Sequence, residues 1–454
     1  MTGHAPTAVP VAPPALGPER AVEWPVRTLR TLANGMQVVL AEHRTVPKIG
    51  IELFFCSGNG LVARRSLGIS ELCSRVIRTG TAARTSRQIE EDLRRMGASL
   101  STMSNPDYSA IAVSGLSEFA EGILAMIADL AQNASFLPNE FERERRQRLE
   151  ELKIERTTPG FLSNECFRRV IFGDHPYAII APSESQLKSY SVQNLKSFYR
   201  ENYIPSNALL IAVGDFSSAE MLGLIEKTFG SWKSAAAPLF AADIKSSGHG
   251  RTVDLVQFPG VQTEILVGNL ALNRQSPDWH CALLANAILG GSFNSRLVAN
   301  IREQKGYTYS PRSIFHPLRH AGYFSVHAAV RHEVVAATLT EIFYELDLMR
   351  ALPVSDAELR GAMNFLCGAF SLGVATQDGL LGQLSTVYLD RLPENYLETF
   401  RDKICALTAE GVLAAARRHF HSSDARIVLV GDRAQIEPQA TLFGEVRFHD
   451  NNRA

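Results

Sequence analysis

One stretch of the sequence occurs twice, and this repeat constrains the fold more than any other feature. Residues 191–215, SVQNLKSFYRENYIPSNALLIAVGD, align without a gap with residues 408–432, TAEGVLAAARRHFHSSDARIVLVGD, at an offset of 217 positions. Each copy begins with a Ser or Thr that can cap a helix, continues through a helix ending in an aromatic residue, and finishes in an apolar strand closed by Val-Gly-Asp. The chain is therefore predicted to consist of two halves built on one design.

The join between the halves is recognisable from its composition. Residues 233–251, KSAAAPLFAADIKSSGHGR, are small and rich in Ala, Ser, Gly and Pro, as expected of an interdomain linker. We accordingly expect a flexible N-terminal arm at residues 1–25, a first domain at 26–235, a linker at 236–250 and a second domain at 251–447. At 454 residues, the chain is long enough for more than one core.

The local patterns predict an α+β fold. Strands are expected near Gln37–Leu40 and Gly50–Phe55, helices near Leu67–Arg78 and Ser86–Met96, and a further alternating strand over Gly97–Val113. Helices and strands do not alternate strictly, and some strands form hairpin-like pairs. Each half is therefore expected to be a mainly antiparallel sheet covered by helices on one face.

Charge and hydropathy exclude several kinds of partner. The 46 basic residues balance 47 acidic residues, and the basic run RERRQR at 143–148 is surrounded by glutamates, which indicates a salt-bridged helical surface rather than a nucleic-acid site. No apolar stretch reaches the 18 residues of a membrane span. The first 25 residues lack the pattern of a secretory signal. The default expectation is a cytoplasmic protein, and a leader removed from the chain would make it periplasmic.

Four motifs in a fixed order suggest a family. They are FGDHPYA at 172–178, FYRENYIPSNALLIAVGD at 198–215, LGGSFNSRL at 289–297 and IREQKGYTY at 301–309. Together they resemble the pitrilysin family of inverted-motif zinc peptidases, which includes the mitochondrial processing peptidase. The resemblance covers nearly everything after residue 25 and implies that the two halves form one half of a clamshell.

The resemblance also locates a zinc motif that has lost its ligands. Catalytic members carry H-x-x-E-H on a helix, because histidines at i and i+4 share one face and can both reach Zn²⁺ while the glutamate activates water. In the matching segment, ELCSR at 71–75, Glu71 and Arg75 replace the histidines and Ser74 replaces the base. The family's third ligand matches Glu151, with Glu144 as the accessory acid. Because a guanidinium cannot ligate a cation, no metal and no other cofactor is expected in this chain.

Two interpretations of these altered positions follow from their spacing and charge. Glu71 and Arg75, four residues apart, can form an ordinary ion pair on the surface of a helix. Alternatively, the Arg75 guanidinium can occupy the position of the lost metal and pair with Glu151, so that a fixed positive charge replaces Zn²⁺.

The second half keeps the other part of the family's active site. The resemblance implies that Arg302 and Tyr309, seven residues apart, hold the scissile carbonyl and the tetrahedral oxyanion of a peptide. Gly290 and Gly291 precede them, and we expect both to contact substrate, although the non-catalytic subunit of the processing peptidase has a much longer glycine-rich loop here. The alternative is that Arg302 and Tyr309 only cap a helix and fill a groove.

The predicted strand Gly97–Val113 corresponds to the one on which the family binds its substrate. There the peptide lies as an added strand, held mainly by main-chain hydrogen bonds. Ser101 stands where the family usually has Asn, so we expect Ser101 to contact the peptide but to hold it more weakly. A purely structural strand is the alternative.

Three functions remain open on the sequence alone. The chain is expected to be the non-metal-binding subunit of a heteromeric zinc peptidase, inactive by itself, whose Arg302 and Tyr309 act on a peptide or unfolded polypeptide. Its partner is then a homologous chain with an intact H-x-x-E-H motif that holds the zinc. The alternative is a structural or interaction protein, similar to the peptidase-derived core subunits of the mitochondrial cytochrome reductase. An autonomous peptidase requires a metal site that the sequence does not offer.

Overall fold

The computed structural model describes residues 22–62, 66–236, 244 and 250–449, in which twelve strands form two six-stranded sheets. The first sheet contains β1 (Arg27–Thr31), β2 (Gln37–Glu42), β3 (Lys48–Phe55), β4 (Ser99–Ser104), β5 (Ser109–Leu116) and β6 (Ala208–Gly214). The second contains β7 (Thr252–Gln257), β8 (Gln262–Ala271), β9 (Arg312–Pro317), β10 (Gly322–Arg331), β11 (Arg426–Gly431) and β12 (Glu445–His449).

The two sheets share the order of five strands and differ in the sixth, an edge strand that comes first in the chain in one sheet and last in the other. The first runs β1-β2-β6-β3-β5-β4 and the second β12-β7-β11-β8-β10-β9. The pairs β2–β6, β7–β11 and β12–β7 are parallel, and the remaining pairs are antiparallel. The predicted α+β fold with mainly antiparallel sheets is therefore confirmed.

Helices connect and cover the strands. Those of the first half are α1 (Ile69–Ile77), α2 (Ser86–Arg95), α3 (Ala120–Asn133), α4 (Pro138–Glu155), α5 (Pro159–Phe172), α6 (Glu184–Ser189), α7 (Val192–Asn202) and α8 (Ser218–Phe229). Those of the second are α9 (Trp279–Asn286), α10 (Val335–Ala351), α11 (Asp356–Val374), α12 (Gln377–Leu389), α13 (Tyr396–Cys405), α14 (Ala409–His419) and α15 (Arg433–Ala440). Among the helices within the described ranges, none is both long and apolar enough to cross a membrane.

The repeat predicted from the sequence is confirmed at the level of single residues. Helices α7 and α14 begin and end 217 positions apart, and each leads to an equivalent central strand, β6 or β11. Both helices carry the predicted caps: the Ser191 hydroxyl accepts from the Asn194 amide, and the Thr408 hydroxyl from the Gly411 amide.

Each half builds a core between one face of its own sheet and its own helices. In the first half, α1, α3, α7 and α8 pack on the sheet through side chains such as Leu72, Ile127 and Phe229. In the second, α9, α10, α14 and α15 do so through residues such as Leu339 and Ala416.

The opposite face of each sheet is covered by helices of the other half. Helices α11, α12 and α13 pack on the first sheet, and α5 packs on the second. Glycines permit the close approach: a Cβ on Gly50 of β3 would lie 2.9 Å from Leu381 of α12, and one on Gly268 of β8 would lie 2.8 Å from Phe167 of α5. The two halves are therefore interlocked. The sequence predicted helices on one face of each sheet and did not predict that helices of the other half would cover the second face.

The prediction of one strand over Gly97–Val113 is wrong, because that segment forms the hairpin β4–β5. Asn105 starts the turn, since its side-chain oxygen accepts from the amides of Asp107 and Tyr108, and Pro106 has no amide hydrogen for a ladder. The second sheet ends at His449, past the predicted limit of 447. Most of the predicted arm, residues 1–21, and most of the predicted linker lie outside the described residues.

Candidate functional site

The positions of the altered zinc motif lie where α1 packs against α4. Helix α1 follows β3 and carries Glu71, Ser74 and Arg75, and α4 carries Glu144 and Glu151. The apolar face of α1, which includes Leu72 and Cys73, is buried against the sheet, and Glu71 and Arg75 are turned toward α4.

A network of ion pairs occupies this junction. Arg75 donates to Glu151 through both terminal nitrogens, at 2.5 and 3.2 Å, and its Nε lies 3.5 Å from Glu71. Arg148 of α4 lies on the other side of Glu71, with 2.6 Å between Nε and Oε1, and its Nη1 donates to both oxygens of Glu155 at 3.0 Å. Both contacts expected for Arg75 are therefore present, and the contact with Glu151 is the shorter one.

The pKa values of Glu71 and Glu151 are shifted in opposite directions. Burial raises the pKa of Glu71 above its ordinary value, against the opposing charges of Arg148 and Arg75. Burial also acts to raise the pKa of Glu151, but the hydrogen bonds from Arg75 and Gln147 outweigh it and the pKa is lowered. Of the two carboxylates, Glu71 is thus the one whose charged form is disfavoured by burial and favoured by Arg148 and Arg75.

The donor set at this junction does not fit zinc. The guanidinium of Arg75 lies between the carboxylates of Glu71 and Glu151, and it has no lone pair to offer a cation. Within the described ranges, no three or more His, Cys, Asp or Glu side chains are grouped as metal ligands would be. The positive charge at this position is a fixed part of the chain.

Ser74, at the position of the general base, has a structural contact instead. It is buried, and its hydroxyl donates to the carbonyl of Met103 in β4 at 3.2 Å. Because its proton is donated in this hydrogen bond, the serine hydroxyl cannot accept a proton from water as a glutamate base would. Ser74 ties helix α1 to the edge strand of the sheet.

A cleft of about 790 Å³ opens beside this junction. Its walls include Glu71, Ser74 and Arg75 from α1, Glu144 from α4, and residues 102–106 from β4 and the turn that follows. Strand β4 is at the edge of the sheet, pairing with β5, and no other strand of the described residues pairs with it. Ser101 is exposed on this strand but does not line the cleft, whereas Thr102, Met103 and Ser104 do.

The Arg/Tyr pair lies in the second half, outside the walls of this cleft. Arg302 belongs to a π-helical segment, Val298–Gln304, where its Nε lies 3.1 Å from Glu303 and its guanidinium carbon 4.9 Å from the ring centre of Phe293. Tyr309 follows in a loop before β9 and is 89% exposed. Among the described residues, neither a hydrogen bond nor a cation–π contact joins Arg302 and Tyr309.

The two glycines predicted to touch substrate have a packing role. They end a π-helical segment, Ala287–Gly291, that extends α9. A Cβ on Gly290 would lie 2.6 Å from the Ser313 amide nitrogen of β9, and one on Gly291 would lie 2.5 Å from the amide nitrogen of the Asn286 side chain. Their small size is required by the fold, whether or not substrate reaches them.

Sequence reasoning missed two arginines of the cleft. Arg148, inside the run interpreted as a solvated surface, has a side chain that is only 5% exposed. Its spacing from Glu144, Glu151 and Glu155 places these residues on one helical face, and this spacing was the available signal. Arg168 of α5, also on the cleft wall, is buried and carries no comparable pattern.

Comparisons with known proteins identify the family. Residues 37–168 match the model "Insulinase (Peptidase family M16)", and residues 189–366 match "Peptidase M16 inactive domain". A protein described as an uncharacterized zinc protease, YmxG of Bacillus subtilis, is 22% identical over 394 residues, which are 86% of this chain and 95% of the relative. Another, from Mycobacterium leprae, is 25% identical over 86% of this chain and 88% of its own length.

Solved structures have the same fold. A peptidase M16 inactive domain from Pseudomonas fluorescens is 25% identical, with a TM-score of 0.83 over 89% of this chain and 98% of that one. A protease from Helicobacter pylori is 18% identical, with a TM-score of 0.84 over 89% and 99% of the two chains. With both family models matched in order and this fold shared, the chain belongs to peptidase family M16, the pitrilysin and insulinase family.

Proposed function

We propose that this chain is the non-zinc-binding subunit of a heteromeric zinc metallopeptidase. It supplies a peptide-binding surface together with Arg302 and Tyr309, which act at the zinc site of a homologous partner chain. That partner carries an intact H-x-x-E-H motif, and the substrate is a peptide or an unfolded polypeptide.

The observation that carries the proposal is the contrast between the two halves. In the first half, Arg75 is paired with Glu151 and Glu71, so a guanidinium lies between the residues that correspond to zinc ligands of the family. In the second half, Arg302 and Tyr309 reach the surface. The side chain of Arg302 is 33% exposed, and Tyr309 as a whole residue is 89% exposed. A tyrosine this exposed is accessible to another molecule, as the proposed role requires.

The comparisons support this division of roles. Both Arg302 and Tyr309 lie within residues 189–366, which match the model described as the inactive domain of M16 peptidases. The relatives named zinc proteases match over most of their length, so a catalytic homologue of similar size and shape is a suitable partner.

The chemistry assigned to the pair is hydrogen bonding to a developing negative charge. A guanidinium and a phenolic hydroxyl both donate, and such donors lower a reaction barrier when they bind an oxyanion more strongly than the ground-state carbonyl. In the free chain, Arg302 is close to Glu303 and Phe293. Substrate must therefore compete with the Glu303 carboxylate for the Arg302 guanidinium.

The edge strand supplies the peptide-binding surface. The outer edge of β4 carries backbone groups that β5 does not use, and residues 102–104 line the cleft. A peptide added as a further strand would satisfy these groups.

The proposal predicts that Arg302 matters for turnover in the complex and not for assembly. The chain is co-expressed with a homologue that has an intact zinc motif, and peptide cleavage is measured. Arg302→Ala should lower kcat/KM by about 100-fold, since this is the usual loss when one oxyanion donor is removed. Tyr309→Phe should also lower kcat/KM.

The control is Arg87→Ala, which removes an exposed arginine of α2 paired with Glu91 at i,i+4. It should leave turnover unchanged, and size-exclusion chromatography should show the complex intact in every variant. Unchanged turnover in an assembled Arg302→Ala complex would overturn the proposal in favour of a structural subunit, and cleavage by the chain alone would overturn it in favour of an autonomous peptidase.

A further inference from the structure

The cleft beside α1 contains one arginine that lacks a carboxylate partner. Four of its five arginines, at positions 75, 78, 143 and 148, each lie within 4 Å of a glutamate. The fifth is Arg168, and no Asp or Glu oxygen of the described residues lies within 4 Å of its guanidinium. It is only 8% exposed, so it is an almost completely buried charge on the cleft wall.

The guanidinium of Arg168 is held in place by neutral groups. Its Nε donates to the carbonyl of Tyr177 at 2.8 Å, and its central carbon lies 5.2 Å from the ring centre of Phe172 and 5.3 Å from that of Tyr323. Its Nη2 is buried and makes no hydrogen bond of good geometry among the described residues, and the Tyr323 hydroxyl is the side-chain group that interacts with the guanidinium. Burial lowers the pKa of Arg168, but an arginine stays protonated in proteins, so the charge persists.

The nearest acidic group is already engaged elsewhere. The charge of Asp107 reaches Arg168, but its carboxylate accepts hydrogen bonds from the Tyr177 hydroxyl and from the Arg319 amide. Burying a cation without a paired anion is costly, and proteins retain such groups where a ligand completes the pair. The buried charge of Arg168 therefore has only neutral hydrogen-bond partners and no paired carboxylate among the described residues.

Arg168 is connected through Tyr177 to the turn that follows the edge strand β4. Tyr177 accepts from Arg168 and donates to Asp107, which lies in the turn directly after β4, and Asn105 and Pro106 of that turn line the same cleft. A peptide that follows the edge of β4 toward this turn would bring its side chains or its end to Arg168.

We propose that Arg168 is a recognition site for a carboxylate of the bound peptide, from an Asp or Glu side chain or from the C-terminus. One guanidinium matches one carboxylate, with which it can form two parallel hydrogen bonds. Glu71, Glu90 and Glu144 on the same walls disfavour a more highly charged anion such as phosphate. The inference rests on the proposed function, because it assumes that this cleft binds peptide.

The test measures the binding of fluorescent ten-residue peptides to the full chain. One set places Glu or Gln at each position in turn, and a second set compares a free C-terminus with an amidated one. The wild-type chain should bind one acidic peptide about tenfold more tightly than its neutral counterpart, as expected for a charge-assisted hydrogen bond. The set in which this preference occurs distinguishes a side-chain carboxylate from a terminal one.

Variants assign the preference to Arg168. Arg168→Gln should bind both members of the preferred pair with the weaker affinity, whereas Arg143→Gln, which removes a more exposed arginine from the same cleft, should keep the preference. If Arg168→Gln does not fold, a photoreactive group next to the acidic residue of the peptide should crosslink the wild-type chain to the segment Pro159–Phe172. Crosslinks confined to other segments overturn the inference.

The outcomes separate this inference from the proposed function. Binding without any charge preference, or an undiminished preference in Arg168→Gln, overturns the carboxylate site while leaving the role of Arg302 intact. No binding of any peptide contradicts both the carboxylate site and the peptide-binding role of the chain.

Discussion

At the scale of single residues, the junction of α1 and α4 shows how the chain balances charge with its own side chains. Arg75 balances the charge of Glu151. Arg148 of α4 balances the charge of Glu71. The two glutamates are therefore neutralised by fixed cations of the chain.

The dependence of Glu71 on Arg148 is testable. Arg148→Met leaves a largely buried carboxylate without its closest cation, and loss of one partner of such a pair lowers the free energy of unfolding by about 3–5 kcal/mol. Urea denaturation at pH 7 measures the loss. Arg146→Met, on the exposed side of the same helix, is the control and should change the midpoint little.

The pH dependence of this loss has a defined sign. The folded-state pKa of Glu71 is raised above 4.5, so the folded state favours its protonated form, and the cost of the missing cation should shrink as the pH falls through that raised value. Glu71→Gln combined with Arg148→Met should recover most of the stability at pH 7. A double variant as unstable as Arg148→Met alone would show that packing, and not charge, causes the loss.

The sequence predicted some residues of this cleft and missed others. The spacing of the lost motif placed Glu71, Arg75 and Glu151 together, because helical geometry and the family pattern fix which positions share a face. The burial of Arg148 and Arg168 depends on which helices pack against which, and a run of charges or a lone arginine contains no such information. Tertiary contacts decide the role of these two side chains.

At the scale of elements, the segment before Arg302 is fixed by helix α11. Arg296, two positions before the π-helical segment, donates to both oxygens of Glu358 at 2.7 and 3.1 Å. Glu358 also completes the capping box of α11 with Ser355. One carboxylate thus joins the start of α11 to the segment that leads into the π-helical residues around Arg302.

This junction should give a pH-dependent contribution to stability. Although burial opposes it, the hydrogen bonds from Arg296 and Ser355 lower the pKa of Glu358 to about 2, from an ordinary value of 4.5. A lowered pKa means stability that is present above pH 4.5 and lost as the pH falls from 4.5 toward 2. Glu358→Gln should therefore lower the melting temperature at pH 7 and have a progressively smaller effect below pH 4.5.

The substitution is chosen because Gln preserves the cap and removes only the charge. The expected loss is about 1 kcal/mol, since the pair is partly exposed. Asp356→Asn, at a highly exposed acid in the first turn of the same helix, is the control and should have little effect. A difference between wild type and Glu358→Gln that stays constant from pH 7 to pH 3 would contradict the assignment.

The hairpin β4–β5 shows which local signals the sequence does contain. The alternating pattern on both sides of residues 105–108 favoured one long strand, but Asn followed by Pro is a turn signal, and the structure turns there. The π-helical segments had no comparable signal, because their apolar spacing is close to that of an α-helix.

At the scale of the whole molecule, the two halves form one packing unit. The face of the first sheet built by Val39, Phe54 and Ile211 is covered by α11, α12 and α13 from the second half of the chain, and the second sheet is covered by α5 from the first half. The repeat predicted two similar units but not this exchange of helices, because periodicity shows that a face is apolar and not which element covers it. Neither half is expected to be stable when produced alone.

The exchange predicts that damage in one half weakens the other. Leu384 of α12 is encoded in the second half, is fully buried, and packs in the cluster on the first sheet. Leu384→Ala should lower the free energy of unfolding by about 2–5 kcal/mol, the usual cost of a cavity of this size. Amide hydrogen exchange should accelerate in β3 and β6 of the first half as well as in α12, because the cavity lies between them. Leu372→Ala, at a 77% exposed position of α11, should change neither quantity. If exchange accelerated only in the second half, the two halves would unfold independently. The first sheet would then keep its structure even when α12 no longer covers it.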